Sequence, residues 1–439
     1  MDKQISQELV TFIKQSPTAF HAVANMQNIL IEHGYEELLE GQTWQIKKGG
    51  HYFVTRNNSS IIAFNLGENL DNYSFNVAAS HSDSPTFKVK ENAEIEIKGK
   101  YTQLNTEGYG GMLCATWFDR PLSIAGRVLV QEGDNYVTKL VNIDRDLVMI
   151  PNVAIHMNRT VNDGYAYNKQ VDMFPLFGGS ETKPGDLKKL IADELGVDVE
   201  TIYGTDLYLY NRMEPSIWGA NEEFISCPQL DDLQCAYTSL QGFLKGANKQ
   251  SINVFACFDN EEVGSGTKQG AGSTFLYDAM RRINNALGKG EEEYYRALAS
   301  SFMLSADNAH AVHPNHPAKT DVNNCVYMNE GIVVKSHAGQ KYTSDAVSIA
   351  VFKGLCKKAG VPVQFFSNRS DTAGGSTLGN IAMAQVSMNS VDIGLPQLAM
   401  HSSYETAGVK DTAYMIKVME EFFNSHIEEM SGHILKVTK

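Results

Sequence analysis

Two adjacent glutamates, Glu261 and Glu262, stand where an apolar run meets a glycine-containing turn. The run VFACF at 254–258 is typical of a buried strand, and Gly264 and Gly266 follow the pair closely. Adjacent side chains at the end of a strand point in different directions, so one carboxylate could bind a metal ion while its neighbour transfers a proton. Acidic pairs are more often solvated turns, and the EEE run at 291–293 is interpreted that way. The apolar strand and the glycines around the pair instead indicate close approach of another group.

Histidines and aspartates with metal-ligand chemistry follow four other strand-like or loop segments. His81 and Asp83 form the sequence HSD after FNVAAS, Asp231 precedes a helical pattern, Asp307 closes FMLSAD, and His401 follows PQLAM. Two imidazoles and several carboxylates suit a borderline metal such as zinc, and a carboxylate can bridge two ions. Each residue alone is a weak signal, since a histidine after an apolar strand is more often structural.

The composition is that of an ordinary globular enzyme, and it excludes several classes of partner. The 439 residues favour two domains over one, with 43% hydrophobic and 20% charged residues. A net charge of −14, with no long basic tract, argues against nucleic acid or an anionic membrane as partner. Six cysteines without CxxC spacing indicate reduced thiols. We find no signal core and no run of eighteen apolar residues, so the sequence predicts a cytoplasmic protein.

Hydrophobic patterning divides the chain into an α/β part and an inserted β-rich part. Residues 1–90 and 226–439 alternate helical patterns with strand-like runs, some of them apolar enough to be buried on both faces. Residues 91–225 contain half-buried, alternating strands such as AGRVLVQ and TDLYLYN, with one helix, DLKKLIADELG. If the two flanks build one sheet, the scattered ligand candidates meet outside the carboxyl ends of its strands.

Seven motifs in order along the chain resemble those of the M18 metallo-aminopeptidases, the aspartyl aminopeptidase family. They are HSDSP at 81–85, YGGMLCATWFDRPLSIAGRV at 109–128, IPNVAIHMNRTVN at 150–162, PQLDDL at 228–233, FDNEEVGS at 258–265, SADNAHAVHPN at 305–315 and LPQLAMHS at 395–402. The resemblance implies a three-layer α/β/α dinuclear-zinc peptidase domain, interrupted by a β-rich dimerisation domain. It also implies a homo-oligomer, a tetrahedral dodecamer built from dimers.

The resemblance also assigns roles at the proposed centre. His81, Asp231 and Asp307 would hold one zinc ion, and Asp231, Glu262 and His401 the other, with Asp231 bridging. Glu261 resembles the general base, which would take a proton from the attacking water and later give it to the leaving amine. Mn²⁺ or Co²⁺ would suit the same donors. Asp83 is expected to accept a hydrogen bond from the other ring N–H of His81, and so to orient the ring, rather than to bind a metal.

Five further residues match positions near the substrate in this family. His310 and His313 are expected to position substrate, and His156 resembles a histidine that reaches the active site of a neighbouring subunit. Lys335 would favour an acidic N-terminal residue, and the Tyr342 hydroxyl would support the tetrahedral oxyanion. Without the resemblance, a surface position for Lys335 would be about as plausible.

The predicted function is therefore release of N-terminal residues, preferably Asp or Glu, from peptides by hydroxide attack at a two-metal centre. One alternative is a two-metal aminopeptidase or deacylase of neutral specificity. The other is a non-enzymatic assembly protein of the same fold. Asp232, next to Asp231, is left out of the ligand set because it could simply cap the following helix.

Overall fold

The computed structural model describes residues 2–432 and 434–439, which form ten α-helices and 22 strands. The helices are α1 Asp2–Lys14, α2 Ala19–Glu32, α3 Lys169–Asp172, α4 Asp186–Leu195, α5 Leu230–Lys245, α6 Phe275–Ala286, α7 Glu291–Ala299, α8 Ala346–Ala359, α9 Leu378–Met383 and α10 Val409–Phe423. The EEE run at 291–293 forms the first turn of α7, where Glu291 and Glu292 are exposed to solvent as expected and Glu293 caps the helix by accepting the Gly290 N–H.

The strands are β1 Glu36–Glu37, β2 His51–Arg56, β3 Ser60–Leu66, β4 Phe75–His81, β5 Thr86–Ile97, β6 Tyr101–Tyr109, β7 Leu122–Glu132, β8 Asn135–Asn142, β9 Leu176–Gly178, β10 Ile202–Asn211, β11 Ser216–Trp218, β12 Phe224–Cys227, β13 Ile252–Phe258, β14 Phe302–Ala306, β15 Ala309–His310, β16 Ile332–Lys335, β17 Val363–Phe366, β18 Asn389–Gly394, β19 Pro396–Leu398, β20 Glu405–Gly408, β21 His426–Ser431 and β22 Ile434–Thr438.

A nine-stranded sheet forms the centre of the α/β part, in the order β1-β2-β3-β13-β4-β14-β18-β16-β17. Its middle strands β13, β4, β14 and β18 run parallel. Every residue of β4, β13 and β14 is buried, because helices cover both faces. The side chains of successive strand residues therefore pack into two different hydrophobic cores, one on each face of the sheet. Phe255 packs with α1, α5 and α10, while Val254 packs with α6, α7 and α9. The predicted three-layer α/β/α arrangement is confirmed.

A second, six-stranded sheet interrupts the first, in the order β8-β7-β10-β5-β6-β9. All its strand pairs are antiparallel, and they enclose a separate apolar core against α4. The strands lie between Thr86 and Asn211, while the nine-stranded sheet takes its strands from before and after this stretch. The predicted boundary at residue 90 falls within β5, since that strand begins at Thr86.

The carboxyl ends of the parallel strands lie together at one edge of the large sheet. Phe258 at the end of β13 is in register with His81 at the end of β4, and Asp307 directly follows β14. A five-stranded sheet, β11-β12-β20-β19-β15, adds two more segments there: Asp231 follows β12, and His401 lies between β19 and β20. Topology thus brings together residues that are up to 320 positions apart in the printed sequence. Within the described residues, we find no helix with the length and apolar character needed to span a bilayer.

Candidate metal and catalytic centre

Asp231 lies at the middle of the cluster, between two imidazoles. Its Oδ1 is 3.5 Å from His81 Nε2, and its Oδ2 is 3.4 Å from His401 Nε2. Glu262 Oε2 is 3.2 Å from the same His401 nitrogen, and Glu261 Oε2 is 4.0 Å from His81 Nε2. One carboxylate therefore contacts both halves of the site, as a residue bridging two ions would.

The ligand-capable atoms fall into three overlapping groups within which all atoms lie within 4.8 Å of one another. The groups are His81, Asp231, Asp232 and Asp307; His81, Glu261 and Glu262; and Asp231, Glu262 and His401. The structure thus brings together all five predicted metal ligands and the predicted base. It adds one carboxylate that we had set aside, Asp232, whose Oδ2 accepts the His81 backbone N–H at 3.1 Å.

Both histidines direct Nε2 into the cluster because Nδ1 is bound elsewhere. His81 Nδ1 lies 3.0 Å from the Asp83 carbonyl oxygen, and His401 Nδ1 lies 2.7 Å from the Gly111 carbonyl oxygen. A carbonyl only accepts hydrogen bonds, so Nδ1 of each ring donates one, and Nε2 is the nitrogen that faces the carboxylates. This orientation leaves Nε2 to bind a metal ion.

Negative charge is crowded in the cluster. Burial and the neighbouring Asp231 carboxylate raise the pKa of Glu262 well above its ordinary value. Burial, opposed in part by His81, raises the pKa of Glu261 to about 8. Burial would also raise the pKa of Asp231, but contacts with His401 and His81 lower it instead. Carboxylates that lie this close together and are this well shielded from water favour the binding of cations.

Three buried carboxylate oxygens supply the test of whether the site fits metal ions. Asp231 Oδ1, Asp232 Oδ1 and Glu262 Oε1 accept no hydrogen bond from any residue in the part of the chain that the structure describes. An orphaned buried carboxylate oxygen is costly unless something satisfies it. Together with two oriented Nε2 atoms, these oxygens form a donor set of nitrogen and oxygen that suits zinc.

The turn that carries Glu261 and Glu262 differs from a simple strand end. It is a 3₁₀ turn, Glu261–Val263, that begins after Asn260 in the left-handed conformation, at φ +62°. Successive side chains on such a turn diverge by about 120°. Glu261 therefore faces His81 while Glu262 faces His401. The divergence that we predicted is present, but its cause is the 3₁₀ turn rather than strand alternation.

Asp83 supports the site through more contacts than the sequence suggested. Its Oδ1 is 3.3 Å from His81 Nδ1, the same nitrogen that contacts the Asp83 carbonyl oxygen. The same carboxylate accepts the backbone N–H groups of Glu261 at 3.1 Å and Glu262 at 3.2 Å. Asp83 therefore ties the β4 end to the 3₁₀ turn.

Glu405 makes a matching pair of contacts on the other side, and sequence reasoning missed it. Its Oε2 accepts the Asp231 backbone N–H at 3.0 Å, and its Oε1 accepts the His401 N–H at 2.6 Å. Glu405 is 2% exposed, and burial together with Asp231 raises the pKa of its carboxyl to about 8. The second contact holds His401 in the left-handed conformation, at φ +67°.

Lys335 and Tyr342 lie directly beside the cluster. Lys335 is 3% exposed, and its Nζ is 3.5 Å from Asp307 Oδ1 and 5.6 Å from the centre of the Tyr342 ring. Burial opposes the charge, but Asp307, together with Tyr342 and Asp392, more than compensates and raises the pKa of Lys335, so the ammonium persists. The His310 ring, which is exposed, lies 6.1 Å from the Phe366 ring, and Phe366 packs with Tyr342.

Two further predicted substrate residues are exposed and lie away from the cluster. His313 is exposed, accepts the Asn315 backbone N–H and has its ring 5.1 Å from that of His316. His156 is also exposed, in the 151–168 loop of the inserted part. Neither belongs to the groups of ligand-capable atoms around Asp231.

A three-layer α/β/α domain with buried imidazoles and carboxylates at the carboxyl ends of its strands has the architecture of a metal-dependent hydrolase. The family model described as aminopeptidase I zinc metalloprotease (M18) matches residues 12–423. A probable M18 family aminopeptidase 2 from Clostridium acetobutylicum is 48% identical over 427 residues, which cover 96% of this chain and 99% of that protein. The chain belongs to the M18 family and is a metallo-aminopeptidase, and the description of that family is of a zinc metalloprotease.

Solved structures agree with this membership. The structure of an Ape4 and Nbr1 complex contains a chain with a TM-score of 0.93 and 36% identity, covering 96% of this chain and 86% of its own length. The S. cerevisiae mApe1 dodecamer gives a TM-score of 0.82 at 26% identity, covering 95% of this chain and 96% of that one. The predicted family and fold class are both confirmed.

Proposed function

We propose that this chain is a two-zinc aminopeptidase in which Glu261 is the general base, and that it prefers peptides with an acidic N-terminal residue. The observation that carries the proposal is the position of Asp231, which contacts His81 on one side and His401 on the other at 3.4–3.5 Å. A carboxylate placed between two imidazole groups could serve both ions of a dinuclear centre.

Charge balance supports two ions rather than one. The cluster contains five carboxylates, those of Asp231, Asp232, Glu261, Glu262 and Asp307. Lys335 supplies one positive charge next to Asp307. Two dications and this ammonium together balance these five carboxylates, and Asp83 and Glu405 add further carboxyl groups beside them, so a single dication would leave a larger buried excess of negative charge. In the proposed assignment, His81, Asp231 and Asp307 hold one ion and Asp231, Glu262 and His401 the other. The same donors also suit Mn²⁺ or Co²⁺.

Glu261 is proposed to move the proton. Zinc, when bound, supplies Lewis acidity at the scissile carbonyl and lowers the pKa of a water molecule towards neutrality. The Glu261 carboxyl faces the His81 side of the cluster, and with cations balancing the neighbouring carboxylates it would be ionised and would accept a proton from the attacking water. It later donates the proton to the leaving amine nitrogen. Asp83 fixes the backbone from which this carboxylate extends.

Lys335 is proposed to select an acidic side chain on the N-terminal residue. The ammonium is buried and stays charged, so it can form a charge-assisted hydrogen bond with a substrate carboxylate. Tyr342, packed beside it, is proposed to support the oxyanion. His310 and His313 are proposed to position the peptide.

Replacing Lys335 with methionine tests this selectivity. We expect kcat/KM for Asp-peptides to fall relative to Leu-peptides by about 10- to 100-fold, the loss of one buried charged hydrogen bond. The ratio is the readout because Lys335 also neutralises Asp307, so both rates decline. Lys341→Met, at an exposed lysine of the same segment, is the matched control and leaves the ratio unchanged. An unchanged ratio in the Lys335 variant would exclude the selectivity role.

The contact between Lys335 and Asp307 also favours a second candidate, neutral specificity. A lysine that is already paired with a carboxylate has less attraction for an acidic substrate. A panel of peptides beginning with Asp, Glu, Leu and Lys, together with N-acyl amino acids, distinguishes the two. Highest kcat/KM on Asp and Glu supports the proposal. Highest kcat/KM on Leu selects the neutral aminopeptidase, and hydrolysis of the N-acyl compounds selects the deacylase.

The inserted part, residues 91–225, is proposed to form a dimer interface within a tetrahedral dodecamer. Support comes from its own sheet and core, and from the exposed apolar residues of its long loop, which include Val153, Ile155 and Met157. His156 in this loop is proposed to complete the active site of the neighbouring subunit. A cytoplasmic location is part of the proposal and rests on the cysteines, all six of which are free within the described chain.

Co-expression of two inactive variants tests His156. His156→Ala is expected to lower kcat by about 100-fold, as loss of a transition-state donor does, with zinc content unchanged. When His156→Ala chains are co-expressed with Glu261→Gln chains, half of the randomly formed dimers contain one chain of each kind. In such a dimer one of the two centres has both an intact Glu261 and an intact His156 from the partner. Activity is therefore expected to recover up to about a quarter of the wild-type value. His33→Ala, at another exposed histidine, is the control. Absence of recovery, or loss of zinc from the His156 variant, would contradict a role across the interface.

A further inference from the structure

A short segment of the inserted part, residues 109–111, touches three residues of the proposed centre. It begins with the last residue of β6, so its position is set by the six-stranded sheet. Gly111 binds His401 through its carbonyl oxygen. Gly110, at φ +75°, passes so close to Glu262 that an added Cβ would lie 3.2 Å from the Glu262 Cβ. Tyr109 reaches the third residue, Asp83.

The Tyr109 hydroxyl is fully engaged in hydrogen bonds. It donates to Asp83 Oδ2 at 2.6 Å and accepts from Asn260 Nδ2 at 2.8 Å. Asn260 is fixed in turn, because its Oδ1 accepts from Thr267 and Gln269. Burial and the Asp83 carboxylate raise the pKa of Tyr109, so the phenol keeps its proton and is the donor to Asp83.

Asp83 connects the Tyr109 hydroxyl to the residues proposed to bind metal and transfer the proton. Its two oxygens hold the backbone N–H groups of Glu261 and Glu262, and its Oδ1 lies near His81 Nδ1. Rotation of the Asp83 carboxylate would shift the proposed base, Glu261, and the proposed ligand Glu262. It would also change the orientation of the His81 ring. The Tyr109 hydroxyl donates the 2.6 Å hydrogen bond that restrains Asp83 Oδ2, and Asn260, which immediately precedes the glutamates, restrains the hydroxyl.

We propose that Tyr109 is a positioning residue through which the inserted sheet sets the geometry of the metal and proton-transfer site. It acts through Asp83 and touches neither substrate nor metal. The inference rests on the roles proposed above for Asp83, Glu261 and Glu262. It extends them by making the site dependent on a residue from the other sheet.

Tyr109→Phe removes the hydroxyl and keeps the ring. We expect the zinc dissociation constant, measured by competition with a chromogenic chelator, to rise about 10-fold, with a similar fall in kcat and little change in KM. Tyr208→Phe is the matched control. Its ring packs edge-to-face against Tyr109 at 5.7 Å, but the hydrogen bonds that link Asp83 and Asn260 are made by the Tyr109 hydroxyl and not by that of Tyr208. The control is expected to keep zinc affinity and kcat within about twofold of the wild type, as a substitution outside the site does.

A double-mutant cycle separates positioning from a general loss of stability. If Tyr109 acts through Asp83, adding Tyr109→Phe to Asp83→Ala changes zinc affinity and kcat no further. Additive losses, or equal effects of the Tyr109 and Tyr208 variants, would overturn the inference. Thermal unfolding of the zinc-free proteins accompanies the cycle, and equal midpoints for the two Phe variants exclude a folding defect as the cause.

The same experiment keeps the inference apart from the function on which it rests. If Glu261→Gln and Asp83→Ala both retain full activity, the proposed centre is wrong. If they lose activity while Tyr109→Phe keeps wild-type zinc affinity and kcat, the centre stands and the inference about Tyr109 fails.

Discussion

Glu261→Gln is expected to lower kcat by about 10²- to 10⁴-fold, the usual contribution of a general base. Glutamine has the size of glutamate but cannot accept the proton, and Glu261 is not among the proposed ligands. Zinc content is therefore expected to stay at the wild-type value. The Asp83 carboxylate still holds the backbone N–H of residue 261, so the turn keeps its geometry. Steady-state kinetics on a peptide substrate and metal analysis of the same sample check both parts.

Glu292→Gln is the control for this substitution, because Glu292 is exposed and lies in the first turn of α7. It should leave kcat and zinc content unchanged. A Glu261→Gln protein that keeps its rate contradicts the role as base. One that loses zinc together with the rate identifies residue 261 as a ligand instead.

Asp231→Asn is expected to abolish activity by a different route, through loss of metal. The neutral amide cannot serve as a charged bridge between the His81 and His401 halves of the site. We expect zinc content to fall well below that of the wild type and kcat/KM to drop by at least about 10³-fold, the loss of roughly 4 kcal/mol of transition-state stabilisation. Zinc is also expected to raise the unfolding temperature of this variant less than that of the wild type, since stabilisation follows binding to the folded state.

Asp232→Asn provides the graded comparison at the adjacent position. Asparagine keeps an oxygen that can accept the His81 N–H, the contact that Asp232 makes. Its effect on zinc content is expected to be smaller than that of Asp231→Asn. Equal losses in the two variants would make Asp232 a ligand and would require a revised assignment of the first metal.

Residues with strong local signals could be predicted from the sequence. The apolar strands ending at His81, Phe258 and Ala306 were visible as buried runs, and parallel strands in one sheet have to end at the same edge. Most candidate ligands follow these ends. Runs in which apolar and polar residues alternate predicted the strands of the inserted sheet in the same way. These features depend on hydrophobic periodicity, which a single sequence carries.

The residues that hold the ligands could not be predicted, because their role arises only from packing between distant segments. Glu405 and Gly111 act on His401 from different sheets, through a carboxylate and a backbone carbonyl. Nothing in the local pattern of SSYETAG or YGGM signals such contacts. Asp83 was identified beside His81, but its bonds to the 261–262 backbone depend on strand register between β4 and β13.

The central claim is that two metal ions share Asp231, and anomalous diffraction from zinc-loaded crystals tests it most directly. Data collected on both sides of the zinc absorption edge should give two peaks per chain. One should lie among His81, Asp231 and Asp307, and the other among Asp231, Glu262 and His401. A single peak per chain, or two peaks without Asp231 between them, would contradict the account.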